Sequence, residues 1–251
     1  MIKKLNLFDL IKQINTFDES LNIFIPENTN LLNEETYPCD CEFQKLLQKH
    51  YFAANIGRAY HTLCFDHFVT EEALTIRSEI SDYLGDWKSN RYFGHGITFN
   101  GRIGTGKTFA MSLILKELVK QGYRVHFITF DDMVNAFSNA WNSEEAKYLN
   151  NKLRSVDILG IDELKTDSRN NSGFLSTLAE SVIRHRAVNL LPTLITTNLT
   201  PEEEATTFTK AYSLLSALNK RIQTEGADVR GSIVREREHS MKRKNERRPV
   251  C

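Results

Sequence analysis

The chain has 251 residues, 41% of them apolar and 25% charged, with 32 basic and 32 acidic side chains. That length suits one large domain, or one domain with a small appendage, and it supports a substantial core. The balanced charge excludes naming a partner from net charge, and the lack of a long apolar run or signal peptide predicts a cytosolic protein with reduced thiols and no membrane partner.

The charge is unevenly placed. Asp18 to Glu42 holds seven carboxylates and no Lys or Arg, and Arg235 to Arg248 holds seven Lys/Arg against three Glu. Such asymmetry reads either as an acidic docking segment with a basic tail for an anionic partner, or as two solvated ends.

Met1 to Ile14 places Leu5, Leu7, Phe8, Leu10, Ile11 and Ile14 at spacings that fit a short amphipathic helix, packed on the chain's own core or in a partner's groove. Asn22 to Thr36 is polar, contains Pro26 and reads as a loop. Glu42 to Ala59 predicts a helix with Leu46, Leu47, Tyr51 and Ile56 among its apolar points. Cys39-Asp-Cys41 raises a zinc question, with His50, His61, Cys64 or His67 as further ligands. Zinc wants four ligands in paired groups of longer spacing, so reduced structural cysteines are the better reading. Glu72 to Trp87 predicts another helix.

Ile97 to Phe99 is a short apolar run, and it leads into Gly101-Arg102-Ile103-Gly104-Thr105-Gly106-Lys107-Thr108. Phe109 to Gln121 then reads as a helix. A strand, a glycine turn and a helix N-terminus form a cradle for phosphate. Gly101, Gly104 and Gly106 let the backbone curl, so amides across Ile103, Thr105 and Phe109 point at anionic oxygens. Lys107 supplies charge for the β- and γ-phosphates of ATP, and Thr108 offers a hydroxyl to Mg²⁺.

Tyr123 to Thr129 alternates and is β-rich, which predicts the second strand. Phe130 to Leu153 reads as a helix, where Phe137 and Trp141 at helical spacing suit a core better than a base-stacking platform. Val156 to Glu163 is an apolar strand ending in Asp162 and Glu163. Downstream of the cradle this is the expected second half of an ATPase site: Asp162 holds Mg²⁺ and Glu163 orients and deprotonates water. Ser172 to Asn189 predicts a helix and Leu190 to Asn198 a fourth strand. Its terminal Asn198 either reaches the γ-phosphate or lytic water or caps the strand, with Thr197 as the alternate. Glu202 to Glu225 reads as a helix carrying Lys220-Arg221 near its end, and Ala227 to Arg230 as a fifth strand.

These pieces, together with Ala54-Asn55-Ile56-Gly57-Arg58-Ala59-Tyr60, resemble the AAA+ ATPases, and within them the DnaC/DnaI-type replicative helicase loaders and IstB-type transposition helpers. The resemblance covers roughly Ala53 to Arg237. It implies an α/β P-loop NTPase with a five-stranded parallel sheet flanked by helices, organised as an N-terminal partner-binding segment (1–52), an ATPase domain (53–237) and a basic tail (238–251). It implies a slow ATPase stimulated by partner or DNA, single-stranded DNA and a replicative helicase as partners, and a homo-oligomer when ATP is bound. Asn198 matches sensor 1, Arg221 an arginine finger acting on the neighbouring subunit, and Arg235 sensor 2. Arg186 lies where relatives often carry arginine, without an assigned role. The chain departs from the family in Asp162-Glu163-Leu164-Lys165, where Asp-Asp-Leu-Gly is frequent, and in lacking a four-cysteine module.

Lys147, Lys152, Arg154, Lys165 and Arg169 are candidate DNA contacts by charge and location, with solvated surface the better reading of each. The transposition helper, which binds duplex DNA and recruits a transposase, is the alternative function. A small-molecule kinase and a non-hydrolysing nucleotide switch are two more.

Overall fold

The computed structural model describes residues 40–61, 63–65, 71–139, 143–165 and 174–225. The expectations for the first helix, the acidic loop, Cys39, His67, Arg169, residues 227–230, Arg235 and the basic tail lie outside them.

Five strands form one parallel sheet: β1 (Gly96–Gly101), β2 (Val125–Thr129), β3 (Ile158–Leu164), β4 (Thr193–Thr197) and β5 (Asn219–Thr224), in spatial order β2-β3-β4-β1-β5. The helices are α1 (Asp40–Ala53), α2 (Glu71–Gly85), α3 (Trp87–Phe93), α4 (Lys107–Lys120), α5 (Phe130–Asn139), α6 (Glu144–Ser155), α7 (Phe174–Val188), α8 (Pro201–Thr207) and α9 (Thr209–Leu218).

Two-residue periodicity sorts the strands between two cores. Val125 and Phe127 on β2, Ile158 on β3 and Leu194 on β4 join the cluster built with α4 and α1 to α3. The intervening Ile128, Leu159, Ile161 and Ile195 join the cluster built with α5, α7 and α9. Both faces are covered, so the central strands β3, β4 and β1 are buried almost throughout, and their polar residues Thr98, Asn100, Thr193, Thr196 and Thr197 are buried too. Helix α4 presses closely on β3: a side chain at Gly160 would place its Cβ 2.7 Å from Leu115 Cδ1.

Several sequence boundaries shift. The helix expected over 42–59 stops at Ala53, and the chain then runs along the outer edge of β2. Phe127 N–H donates to Ala54 O at 2.8 Å and Asn55 Nδ2 donates to Phe127 O at 2.9 Å, which shields an otherwise bare strand edge. Leu47 and Tyr51 lie in the core on the N-terminal side of the 52/53 boundary expected from sequence. The helix expected over 130–153 is two helices, the second started by Ser143, whose Oγ accepts from Ala146 N–H.

The largest difference is at 202–225, where one expected helix is α8, α9 and β5. Thr200-Pro201-Glu202-Glu203 forms a capping box that starts α8, and α9 ends at Leu218. The fifth strand is therefore Asn219–Thr224, paired in register with all of β1 from Gly96↔Asn219 to Gly101↔Thr224. Its exposed Lys220 and Arg221 hide the strand pattern, because an edge strand carries charge where a central one carries apolar residues.

Arg186 is wholly buried on α7. Its guanidinium donates to Leu153 O, Val156 O and Pro192 O at 2.8–3.0 Å and to Thr193 Oγ1 at 3.1 Å, tying the entries of β3 and β4 together. Burial pushes its pKa down to about 9, so it remains charged at neutral pH. Its role is structural.

No described helix is long and apolar enough to cross a membrane. No group of three His, Cys, Asp or Glu able to hold a metal occurs among the described residues. His61 of the zinc expectation is paired with Ile56 O at 2.9 Å.

Candidate nucleotide site

The glycine turn joins the C-terminal end of β1 to the start of α4. Gly104 has φ 90° and Gly106 has φ 87°, left-handed values that a side chain would resist. Gly106 is the N-cap of α4, so the free amides of the first helical turn open into the loop. Lys107 is buried and its Nζ donates to Gly101 O and Arg102 O, both at 2.7 Å. The loop thus closes around its own lysine.

Thr108 begins the face of α4 that meets β3, and its Oγ1 donates to Asp162 Oδ1 at 2.9 Å. The same carboxylate oxygen accepts from Thr196 Oγ1 on β4 at 2.5 Å. Burial pushes the Asp162 carboxyl above the usual range, with the neighbouring Glu163 charge adding to it, while the two threonines and Lys107 pull the other way. Two oxygen donors this close suit a hard divalent cation, whose charge would hold Asp162 ionised.

Glu163 follows from a break in the strand. Ile161 pairs with Ile195 and Leu164 with Thr197, so three steps on β3 match two on β4. This bulge returns Leu164 to the core face of Ile161 and leaves Asp162 and Glu163 as a pair between them. Glu163 takes φ 57°, an uncommon value for a residue with a side chain, and its N–H donates to Thr196 Oγ1 at 2.9 Å. Strict alternation would send Glu163 to the opposite face; the bulge instead gives it to the cleft.

That cleft is lined by Gly104, Gly106, Lys107 and Thr108 on one side and by Glu163, Thr196, Thr197 and Asn198 on the other. Asn198 is exposed in it, whereas Thr197 is buried and donates to Leu164 O at 2.8 Å. Both residues line the cleft, and the Thr197 hydroxyl is already committed to Leu164 O. Ile103 and Phe109 complete the wall with Tyr60 and Leu63, which come from the segment after α1. Sequence reasoning missed Tyr60, Leu63 and Thr196 as lining; only the Ala54–Tyr60 stretch hinted at the first.

Arg221 is not brought to this cleft. It sits on β5, not on a helix, and grips Glu204 of α8 through its two terminal guanidinium nitrogens, one bond measuring 3.2 Å. Glu204 is 5% exposed, so reaching a neighbouring subunit means leaving a buried carboxylate behind. Arg221→Ala is expected to lower the thermal midpoint by about 3–6 °C as Glu204 loses this partner. An unchanged midpoint with turnover down by about 10³ would instead assign the arginine to a neighbour's site.

Each of the four candidate DNA contacts among the described residues has a partner within the chain. Lys165 pairs with Asp131 at 2.6 Å and Lys147 with Glu144 at 2.8 Å. Lys152 donates to Ala53 O, and Arg154 to Asn150 and Ser181.

A glycine-rich turn, an Asp-Glu strand end and a polar end to β4 on a β2-β3-β4-β1-β5 sheet give the chain the P-loop fold of the AAA+ type. The chain belongs to the IstB-like ATP binding protein family, which it matches over residues 94–248. It is 34% identical over 163 residues to the replicative helicase loader DnaC of Escherichia coli (strain K12), covering 62% of this chain and 64% of DnaC. It is 24% identical over 130 residues to the replicative helicase loader DnaI of Bacillus subtilis (strain 168), covering 52% of this chain and 41% of DnaI. The chain thus spans less than two thirds of either loader's length. The crystal structure of the DnaC helicase loader superposes with a TM-score of 0.60 at 19% identity, over 67% of this chain and 100% of that one.

Proposed function

We propose that the chain is an ATP-dependent loader of a replicative helicase, acting as an oligomer that grips single-stranded DNA with ATP and Mg²⁺ bound and releases it on hydrolysis. The observation that carries this reading is the grouping of Lys107, Thr108, Asp162, Glu163 and Asn198 around one cleft. The DnaC likeness supports the loader assignment.

In this reading Lys107 turns from Gly101 O and Arg102 O to the β- and γ-phosphate oxygens. Thr108 and Asp162 hold Mg²⁺, which when bound neutralises charge on those oxygens. Glu163 accepts a proton from the attacking water, and Asn198 orients that water or the γ-phosphate. Arg235 acts as sensor 2, and Arg221 acts in trans only if it is released from Glu204. The N-terminal segment holds the helicase.

Filter binding of single-stranded DNA, with and without ATP and across salt concentrations, tests the proposal. Retention that needs ATP and falls steeply with salt is the expected result. ATP-independent, salt-insensitive retention would sink the gripping model. The IstB-like family match favours one second reading, a transposition helper; preference for duplex over single-stranded DNA in the same assay, with a transposase as the protein captured from the native cell, would select it.

A further inference from the structure

One side chain on β4 touches both acids at the end of β3. Thr196 is buried near the C-terminal end of β4, between β1 and β3 in the sheet. Its hydroxyl has one proton and gives it to Asp162 Oδ1 at 2.5 Å. The same oxygen accepts from Glu163 N–H at 2.9 Å. The sense of both bonds is fixed, because an amide N–H only donates and an ionised carboxylate only accepts.

The bond to Glu163 matters because of the backbone it holds. The bulge between the Ile161↔Ile195 and Leu164↔Thr197 pairs takes Glu163 out of register with β4. Glu163 lies at φ 57°, a conformation that the Cβ of an L-residue disfavours against extended backbone. Extended backbone at this position restores strict alternation, and alternation turns the side chain away from the cleft. The left-handed conformer and the cleft-facing carboxylate therefore go together. Downstream the strand is held by Thr197, whose Oγ1 donates to Leu164 O at 2.8 Å. Thr196 supplies the corresponding hold at Glu163 itself.

We propose that Thr196 is a positioning residue for ATP hydrolysis: its hydroxyl, anchored on Asp162, holds the left-handed backbone at Glu163 and so keeps that carboxylate in the cleft. The proposal rests on the hydrolysis reading above. Thr196 acts through the Glu163 amide and has no part in holding the phosphates, which falls to Lys107 and the amides of the turn.

The test compares the full chain with Thr196→Val, which keeps the β-branched shape and loses the hydroxyl, and with Thr196→Ser, which keeps the hydroxyl. Two quantities are read: kcat for phosphate release at saturating ATP and Mg²⁺, and amide hydrogen exchange at Glu163 by NMR without nucleotide. Thr196→Val should lower kcat about tenfold, the worth of one buried hydrogen bond, and should speed Glu163 exchange by a similar factor. Affinity for ATP without Mg²⁺ should be unchanged, and Thr196→Ser should restore both quantities. Added to Glu163→Gln, Thr196→Val should cost no further turnover, because the group being positioned has gone. Unchanged kcat or unchanged Glu163 exchange in Thr196→Val would overturn the proposal. A serine form as slow as the valine form, or a full loss that persists in the Glu163→Gln background, would overturn it too. If the valine form does not fold, Thr196→Ala carries the same comparison. A wild-type chain that binds ATP and releases no phosphate would instead overturn the hydrolysis reading, while Glu163 exchange still reads the hold on the bulge, so the two failures are distinct.

Discussion

Lys107→Ala is expected to reduce ATP affinity by more than about a hundredfold, the worth of two charge-assisted hydrogen bonds at about 1.5–3 kcal/mol each. The side chain is buried at the mouth of α4, and its ammonium is the group that answers Gly101 O and Arg102 O. Alanine removes the cation, leaves those two carbonyls without it, and keeps the helix intact because alanine suits a first turn well. Isothermal titration with ATP and Mg²⁺ measures the loss directly. Lys120→Ala is the control: that lysine ends the same helix, pairs with Glu117 at 2.6 Å, and should leave affinity unchanged. Wild-type affinity in Lys107→Ala would count against the cradle as the phosphate site.

Glu163→Gln should hold ATP while losing turnover by about 10²–10⁴, the usual contribution of a positioned general base. The substitution preserves size and removes the carboxylate charge, and with it the ability to accept a proton. The bulge that presents the residue depends on backbone contacts, namely the Glu163 N–H to Thr196 Oγ1 bond and the Ile161 and Leu164 register, so its geometry should survive. Single-turnover phosphate release, measured beside retention of labelled ATP on the protein, separates binding from chemistry. Equal turnover in the two forms would remove Glu163 from the reaction. A wild-type chain that binds ATP and never releases phosphate would point to a nucleotide switch instead.

The cradle from Gly101 to Thr108 was legible because a turn that wraps an anion must be built from glycines at fixed spacing, and that constraint is written locally. Asp162 was legible for a related reason, as an acid closing an apolar strand. Glu163 was legible by type and not by geometry: alternation alone sends it to the wrong face, and a bulge leaves no mark in a single sequence. Thr196 was out of reach, since its contacts to Asp162 and Glu163 come from strands that meet only in the sheet. The stretch 202–225 misled because alanine and leucine near α9 favour helix and because β5 bears charge on its open side. Arg221 illustrates the difficulty, for neither its strand nor its grip on Glu204 has a local signature.

The segment laid along the edge of β2 also gives the molecule a handle. Ala54 and Asn55 are fastened to Phe127, Phe127 stands two residues before Thr129, and Thr129 is the register partner of Asp162. Lys116, buried in α4, is fastened from the other side to the carbonyls of His61 and Leu63. The segment following α1 is therefore tied both to the strand beside the carboxylate and to the helix behind the glycine turn. The stretch after α1 thus clasps the sheet from two directions, at its β2 edge and across α4.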